Sequence, residues 1–223
     1  MKKKLMMEAL LKFLFGLLLV GLLLFLPAGT LHYWNAWLFM GLLFIPMLLL
    51  GVVLCIKAPA LLEKRLNSKE QQPAQKRVVA LSAVVFIVGF VLAALDFRYA
   101  WTHVPSWLVA VASMLLLFAY GLYAEVMREN AYLSRTVEVQ ENQKVVDTGL
   151  YGVVRHPMYL ATILLYLAIP LVLGSLLSLL VFLSYPILIV RRIRNEETVL
   201  EQGLEGYLAY EKKVRYRLIP FLW

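Results

Sequence analysis

The sequence predicts an all-α fold: a polytopic integral membrane bundle of about five to six transmembrane helices with a cytoplasmic C-terminal helix. Three observations support this prediction. Of the 223 residues, 62% are hydrophobic, compared with about 45–50% in ordinary globular domains. Several apolar runs approach or exceed the roughly 18 residues that indicate a membrane-spanning helix. The basic residues are concentrated in alternate polar segments, which is typical of the cytoplasmic loops of membrane proteins.

Four long apolar runs are predicted to cross the membrane, at about residues 9–26, 36–56, 78–95 and 106–124. The first run follows a cluster of lysines, as in a signal peptide, but it is too long for one and no small-residue cleavage site follows it. It is therefore predicted to be an uncleaved span that is closed by Pro27 and Gly29.

Two shorter apolar runs follow, at about residues 158–173 and 176–190, separated by Gly174 and Ser175. Each would form a helix of roughly 22 Å, which is thin for a hydrocarbon core of about 30 Å. The sequence leaves open whether they form a tilted pair or a hairpin that does not fully cross. In both arrangements the short connection makes the two helices antiparallel neighbours.

The charge pattern predicts that both termini lie in the cytoplasm. In that orientation the polar segments 57–77, 125–157 and 191–223 are all cytoplasmic, and Arg98, beside Asp96, is the one basic residue outside. This positive-inside pattern accounts for the net charge of +8 without nucleic acid as a partner. The predicted partner is the lipid bilayer, and the expected location is the plasma membrane of a bacterium or archaeon.

The chain is predicted to form a single membrane domain with two parts. Residues 1–104 hold the first transmembrane helices and the loop 57–77, and residues 105–223 hold the segments that carry chemistry. Cys55 is the single cysteine, so no intrachain disulfide is possible. The three histidines have no ligand partners at suitable spacing, so no metal site is predicted. No glycine-rich loop follows a strand, so the dinucleotide-binding fingerprint is missing.

Two polar motifs are expected to meet at the cytoplasmic face. In the first, Arg155 and His156 precede Pro157, and proline is favoured at the first position of a helix, whose positive end then points at its surroundings. In the second, Glu196 and Glu197 follow a run of arginines after the last apolar run. Taken separately, each motif also fits a simple anchor at the membrane interface. Their convergence favours a functional site, because ionisable groups at that depth are functional candidates.

The order of these motifs resembles a known family. The run VVDTGLYGVVRHPMYLA, followed by RRIRNEETVL, YLAYEKKV and a final IPF, is similar to the isoprenylcysteine carboxyl methyltransferases and to the related membrane phospholipid methyltransferases. The resemblance covers about residues 125–223. It implies S-adenosylmethionine as the methyl donor, bound at the cytoplasmic face without a Rossmann domain, and an amphipathic or lipid-like acceptor.

The resemblance also implies roles for individual residues. The implied cofactor-binding residues are Gly149, Tyr151, Arg155, His156, Pro157, Tyr159, Glu196 and Glu197. The implied catalytic residues are Arg192, Arg194, Glu196 and Glu197. The resemblance favours a carboxylate acceptor. Methyl transfer to a carboxylate depends on alignment and dehydration and needs little acid–base chemistry. An amine acceptor would need a base, for which Glu196 or Glu197 is the candidate.

Two other functions stay open at this point. NADPH-dependent ene reductases of the sterol or steroid type resemble the chain at its Arg-His-Pro-x-Tyr stretch. They usually have asparagine at the position of Met158, and they lack the Glu-Glu-x-x-Leu of residues 196–200. A non-enzymatic membrane scaffold would explain both motifs as interfacial anchors. Binding of S-adenosylmethionine or of NADPH distinguishes the three possibilities.

Overall fold

The computed structural model describes residues 2–67, 70 and 72–223. These residues form nine α-helices and contain no β-strand, so the all-α prediction is confirmed. The helices are α1 (Lys2–Ala28), α2 (Trp34–Lys57), α3 (Pro59–Leu66), α4 (Pro73–Tyr99), α5 (Ser106–Glu129), α6 (Pro157–Val172), α7 (Leu176–Phe182), α8 (Tyr185–Gly203) and α9 (Tyr207–Lys213). A short 3-10 helix, Gly149–Gly152, precedes α6.

Within the described residues, five helical stretches are long and apolar enough to cross a membrane. They are α1, α2, α4, α5 and the stretch Leu176–Gly203 that α7 and α8 form together. Helix α6 is apolar but has only 16 residues, or roughly 24 Å. It begins at Pro157 and ends just before Gly174, which adopts a φ of +80°. The predicted bundle of five to six apolar helices, with a tight connection at Gly174 and Ser175, is therefore confirmed.

The core forms where the short helices pack against the long spans. Gly89 of α4 lies under the ring of Phe182 of α7, and a Cβ at Gly89 would come within 2.4 Å of ring carbon Cε2. The Ser178 hydroxyl donates to the Gly89 carbonyl at 2.8 Å. The Tyr33 hydroxyl, in the loop between α1 and α2, donates to the carbonyl of Leu173, which directly follows α6, at 2.6 Å. The buried side chains of this core include Leu24, Phe39, Phe90, Leu116, Leu165, Ile169 and Phe182.

Asp96, in the last turn of α4, organises the end of the bundle that carries the α6–α7 connection. The residue is 1% exposed, and its carboxylate accepts the Thr102 N–H at 2.7 Å as well as the hydroxyls of Thr102 and Ser175. The Ser175 hydroxyl oxygen in turn accepts the Ser178 N–H and caps α7. Because neutral donors satisfy this buried carboxylate, it joins α4, the following loop and the start of α7.

The predicted loop 57–77 is wrong in part, because it contains α3 and the first residues of α4. Pro59 occupies the first turn of α3, and Leu61 and Leu62 are buried. Packing of these two leucines therefore holds a short helix in a segment whose composition is mostly polar.

The boundaries predicted for the last span, 176–190, are also wrong. The helix is interrupted after Phe182, and α8 then continues without a break to Gly203. Helix α8 thus runs from the apolar part of the chain directly into the polar segment that contains Glu196 and Glu197.

We expect Asp96→Ala to destabilise the fold, because it leaves a backbone N–H and two hydroxyls in the protein interior without their acceptor. An unsatisfied buried group costs about 1–3 kcal/mol, so the free energy of unfolding should fall by about 3 kcal/mol. Chemical unfolding in detergent micelles measures this change. The matched control is Asp147→Ala, which removes an exposed ion pair with Lys213 and should leave the unfolding free energy nearly unchanged.

Candidate active site

The two polar motifs meet as predicted, at the start of α6 and in the second half of α8. Arg155 and His156 are buried immediately before Pro157, and Glu197 is 2% exposed. One Glu197 oxygen, Oε1, accepts Arg155 Nε at 2.9 Å and lies 2.8 Å from Arg155 Nη2 and 3.2 Å from His156 Nε2. The other oxygen, Oε2, accepts Arg217 Nε at 2.7 Å. A single carboxylate therefore joins α6, α8 and the segment after α9.

Residues 214–223, which we call the strap, hold Arg155 and His156 from the other side. The N–H of Arg155 donates to the Tyr216 carbonyl and the N–H of His156 donates to the Arg217 carbonyl, both at 2.9 Å. These bonds satisfy two donors that precede the first turn of α6, where no helical partner exists. The strap therefore fixes the backbone as well as the side chains of the Arg-His motif.

The Arg155 guanidinium is fully occupied by protein groups. Besides Glu197, it contacts Glu211 Oε1 at 2.9 Å through Nη2. Its Nη1 donates to the carbonyls of Glu211 and Val214 at 3.3 Å. Since all of its nitrogens have acceptors, Arg155 shapes the site mainly by joining α6, α8 and α9.

A cavity of about 410 Å³ lies beside this cluster, within the size range of about 300–1,000 Å³ that is typical of ligand pockets. Its polar end is formed by α6, α8, α9 and the loop that follows α5. Its apolar end is formed by α4, together with tyrosines of α6 and α8. The lining includes Arg65, Val78, Val79, Ser82, Phe86, Asn130, Arg135, Tyr151, Arg155, His156, Tyr159, Tyr166, Tyr185, Arg192, Glu196, Tyr207 and Tyr210.

A row of hydrogen-bonded side chains crosses the polar end of the cavity. The Tyr159 hydroxyl donates to Glu196 Oε2 and accepts Arg192 Nε at 2.9 Å. Arg192 Nη2 donates to the Arg135 carbonyl at 2.7 Å, which ties the loop after α5 to α8. A carboxylate, a phenol and a guanidinium thus face the same space in fixed order.

Three tyrosines close the polar end from the side of α9. The Tyr210 hydroxyl donates to the Tyr151 carbonyl at 2.8 Å, and Asn130 Nδ2 donates to the Tyr151 hydroxyl at 3.0 Å. The Tyr207 hydroxyl is buried and has no hydrogen-bond partner among the described residues. Burial raises the pKa of Tyr207 well above its usual range, and the nearby Glu197 carboxylate adds to the effect. Tyr207 therefore stays neutral and can still donate to or accept from a ligand.

The apolar end opens beside α4. Val79 of α4 lines the cavity and is 44% exposed, so this end of the cavity is open beside a helix that is long and apolar enough to cross a membrane. Arg65 of α3 lies at the same edge, where Nη1 donates to the Ser134 carbonyl at 3.2 Å and Nη2 donates to the Tyr123 hydroxyl. Neither Arg65 nor Arg135 has a carboxylate within salt-bridge distance in the part of the chain that the structure describes.

The structure places some of the residues that the resemblance implied in the cavity wall and others outside it. The cavity is lined by Tyr151, Arg155, His156, Tyr159, Arg192 and Glu196. Four others do not line it: Glu197 lies behind Arg155, Pro157 is buried in the first turn of α6, Arg194 is exposed on another face of α8, and Gly149 lies against Glu129. Gly149 has a φ of +55°, and a Cβ there would overlap the Glu129 carboxylate, so its role in the structure is to allow this close approach.

Sequence reasoning missed several lining residues. Tyr207 and Tyr210 lie in the quoted YLAYEKKV motif, and their spacing of three places them on one helix face, so the sequence held a signal for them. Arg65 and Phe86 gave no such signal, because they come from the first half of the chain. The cavity therefore draws on both of the predicted parts, 1–104 and 105–223.

Comparisons with known proteins concern the second half of the chain. Residues 107–205 match the family model of the phospholipid methyltransferases. The chain is also 32% identical over 91 residues to the Delta(14)-sterol reductase TM7SF2 of Mus musculus, a match that covers 40% of this chain and 22% of that protein. The chain thus spans less than a quarter of the curated relative that it matches. Together the matches support a broad relation to membrane methyltransferases and sterol reductases, built on a multi-pass helical membrane domain.

Proposed function

We propose that this chain is an S-adenosylmethionine-dependent methyltransferase that methylates an amphipathic, lipid-like acceptor at the cytoplasmic face of a membrane. The observation that carries the proposal is the cavity itself. It joins a polar end, where the Tyr207 hydroxyl is buried without a protein partner, to an apolar end beside α4. A water-soluble donor and a lipid-like acceptor can meet in such a space.

The polar end fits the chemical groups of the methyl donor. Glu196 can bind the donor's ammonium group, and such a charge-assisted hydrogen bond is roughly twice as strong as a neutral one. The Tyr207 hydroxyl would gain a partner that the protein does not supply. The rings of Tyr151 and Tyr159 offer π faces for a sulfonium cation or an adenine. S-adenosylmethionine, when bound, would supply an activated methyl group.

The arginines favour a carboxylate as the acceptor. Arg65, Arg135 and Arg192 line the cavity, with Glu138 and Glu196 as the acidic side chains in the lining. Arg192 already donates to Tyr159 and lies 3.9 Å from Glu70. Arg65 and Arg135 are therefore the candidates to hold a carboxylate in a forked geometry. A carboxylate acceptor would already be ionised and nucleophilic when it met the methyl group that the donor would supply. No proton needs to move, so alignment and exclusion of water supply most of the effect.

An amine acceptor, as in phospholipid methylation, is the second candidate. An ammonium group must lose a proton before it can attack, so this route needs a base. Glu196 faces the cavity and accepts the Tyr159 hydroxyl, and its carboxylate is the candidate to receive the proton, either directly or through Tyr159, which would give its own proton to Glu196 as it accepted one from the amine. The match of residues 107–205 to phospholipid methyltransferases supports this route.

Reduction of a sterol-like double bond is the third candidate, supported by the similarity to the mouse reductase. NADPH would have to occupy the polar end of the cavity in place of S-adenosylmethionine. Equilibrium binding of each radiolabelled cofactor to the purified protein decides between them. Saturable binding of NADPH without binding of S-adenosylmethionine would overturn the proposal.

The acceptor class is tested with a deuterated methyl donor and mass spectrometry of membrane lipids. Label in a methyl ester identifies a carboxylate acceptor, and label in a choline-type headgroup identifies an amine. The matched comparison is Glu196→Gln. We expect it to slow amine methylation more strongly than ester formation, since only the amine route uses a base.

We expect Tyr207→Phe to weaken the binding of S-adenosylmethionine about 2- to 10-fold, because it removes one hydrogen bond worth roughly 0.5–1.5 kcal/mol. Isothermal titration calorimetry in lipid nanodiscs measures the change. Tyr99→Phe, on an exposed ring outside the cavity lining, is the control and should bind like wild type. Equal affinities of Tyr207→Phe and wild type would remove Tyr207 from the donor site.

We expect Glu197→Gln to lower the free energy of unfolding by about 3 kcal/mol, since it leaves the buried Arg155 and the Arg217 guanidinium without their shared carboxylate. Binding of S-adenosylmethionine should weaken at least about tenfold at temperatures where the variant is folded, because Arg155 and His156 lose their fixed positions. The control is Glu201→Gln, on an exposed position of the same helix. A stable Glu197→Gln variant with weakened binding would instead indicate direct contact between Glu197 and the donor.

A further inference from the structure

The strap carries an exposed apolar tip. Phe221 is 90% exposed, Leu222 is 76% exposed and Ile219 is also exposed. This tip, formed by Ile219, Phe221 and Leu222, is held in place by backbone hydrogen bonds. The N–H groups of Arg217, Leu218 and Ile219 all donate to the Trp223 backbone oxygen at 3.0–3.1 Å. Residues 217–223 therefore form a compact loop that presents two large apolar side chains outward.

The strap is seated next to the membrane-facing surface of the bundle. Leu218 packs with Tyr185, Ile189 and Ile193 of α8, and Trp223 packs against the same cluster together with Leu160 and Ile163 of α6. Further along the same apolar stretch, Leu180, Leu183 and Ile187 are exposed. If α7 and α8 cross a bilayer, lipid must cover these exposed side chains, and the strap packs on the same helix, α8, that carries Ile187.

Exposed basic residues precede the tip in the chain. Lys212 and Lys213 are exposed directly before the strap and Arg215 is exposed within it, and Lys213 forms an ion pair with Asp147. An apolar tip flanked by exposed cations is the composition of a segment that lies in the headgroup region of an anionic leaflet. A lipid surface therefore matches both the apolar and the charged parts of this segment.

The same strap is bonded directly to the candidate site. The backbone carbonyls of Tyr216 and Arg217 accept the N–H groups of Arg155 and His156, and the Arg217 side chain donates to Glu197. Only a few residues separate these contacts from Phe221 and Leu222. Displacement of the tip would therefore weaken the backbone hydrogen bonds that hold Arg155 and His156 in place.

We propose that Ile219, Phe221 and Leu222 insert into the adjacent leaflet, and that this insertion holds the strap against Arg155 and His156, so that the bilayer completes the polar end of the cavity. The occupant of this surface is lipid. The inference goes beyond methyl transfer, because it concerns how the membrane keeps the site assembled, whichever reaction the site performs.

Insertion is tested with a fluorophore attached at Leu222→Cys in a Cys55→Ser background, in nanodiscs that contain brominated lipids. We expect strong quenching of the fluorophore and a blue-shifted emission. The control position is Glu201→Cys, which is exposed on α8 and should show little quenching. Quenching at residue 222 no stronger than at residue 201 would overturn the proposal.

Whether the inserted tip stabilises the backbone at Arg155 and His156 is tested by hydrogen–deuterium exchange of the peptide that covers residues 150–160. In the double variant Phe221→Ser/Leu222→Ser we expect the exchange of the Arg155 and His156 amides in nanodiscs to become roughly fivefold faster or more. The control Leu180→Ser, at an exposed apolar position of α7, should exchange like wild type.

Unchanged exchange in the double variant would overturn the coupling even if the tip proves to be inserted. Because neither measurement uses S-adenosylmethionine, a failure here is separate from a failure of the proposed reaction. Both variants change exposed side chains, so the fold should survive, and wild-type exchange of peptides from α4 and α5 verifies this.

Discussion

The buried Glu197 carboxylate is the constraint on which the rest of the candidate site depends. A buried charge is tolerated only when it is paired and hydrogen-bonded, and here two arginines and a histidine surround it. Those partners come from the start of α6 and from the strap. Satisfying one carboxylate therefore requires that the chain after α8 fold back over the start of α6, and this return of the chain creates the polar wall of the cavity.

A second buried carboxylate has a different environment at the other end of the bundle. Asp96 is surrounded by neutral donors of the loop after α4 and of the start of α7, whereas Glu197 is surrounded by cations. Each carboxylate joins segments of the chain that are distant in sequence. The contact between Gly89 and Phe182 sets how closely α7 approaches α4. Because α8 follows α7 directly, this contact also affects the position of α8 and of Glu196.

The cavity combines a polar end with an apolar end. Glu196, Arg192 and buried tyrosines line the polar end, and residues of α4 line the apolar end. The second half of the chain is similar to the phospholipid methyltransferases and to a sterol reductase, two groups of proteins with different reactions. A fold of this kind does not by itself choose the reaction. Under the proposed function, the side chains at the polar end would select the reaction through the cofactor that they bind.

The sequence by itself determined the apolar spans, the start of α6 at Pro157, the tight connection at Gly174 and the convergence of two polar motifs, because these follow from local hydropathy, backbone geometry and short connections. It did not reveal α3, whose leucines need a partner surface. Nor did the sequence show which of Glu196 and Glu197 faces the cavity. Adjacent residues on a helix point about 100° apart, and only packing decides which of the two side chains lines it. The roles of Tyr207, Arg65 and the strap were likewise decided by the tertiary structure, since each depends on contacts between segments that are distant in sequence.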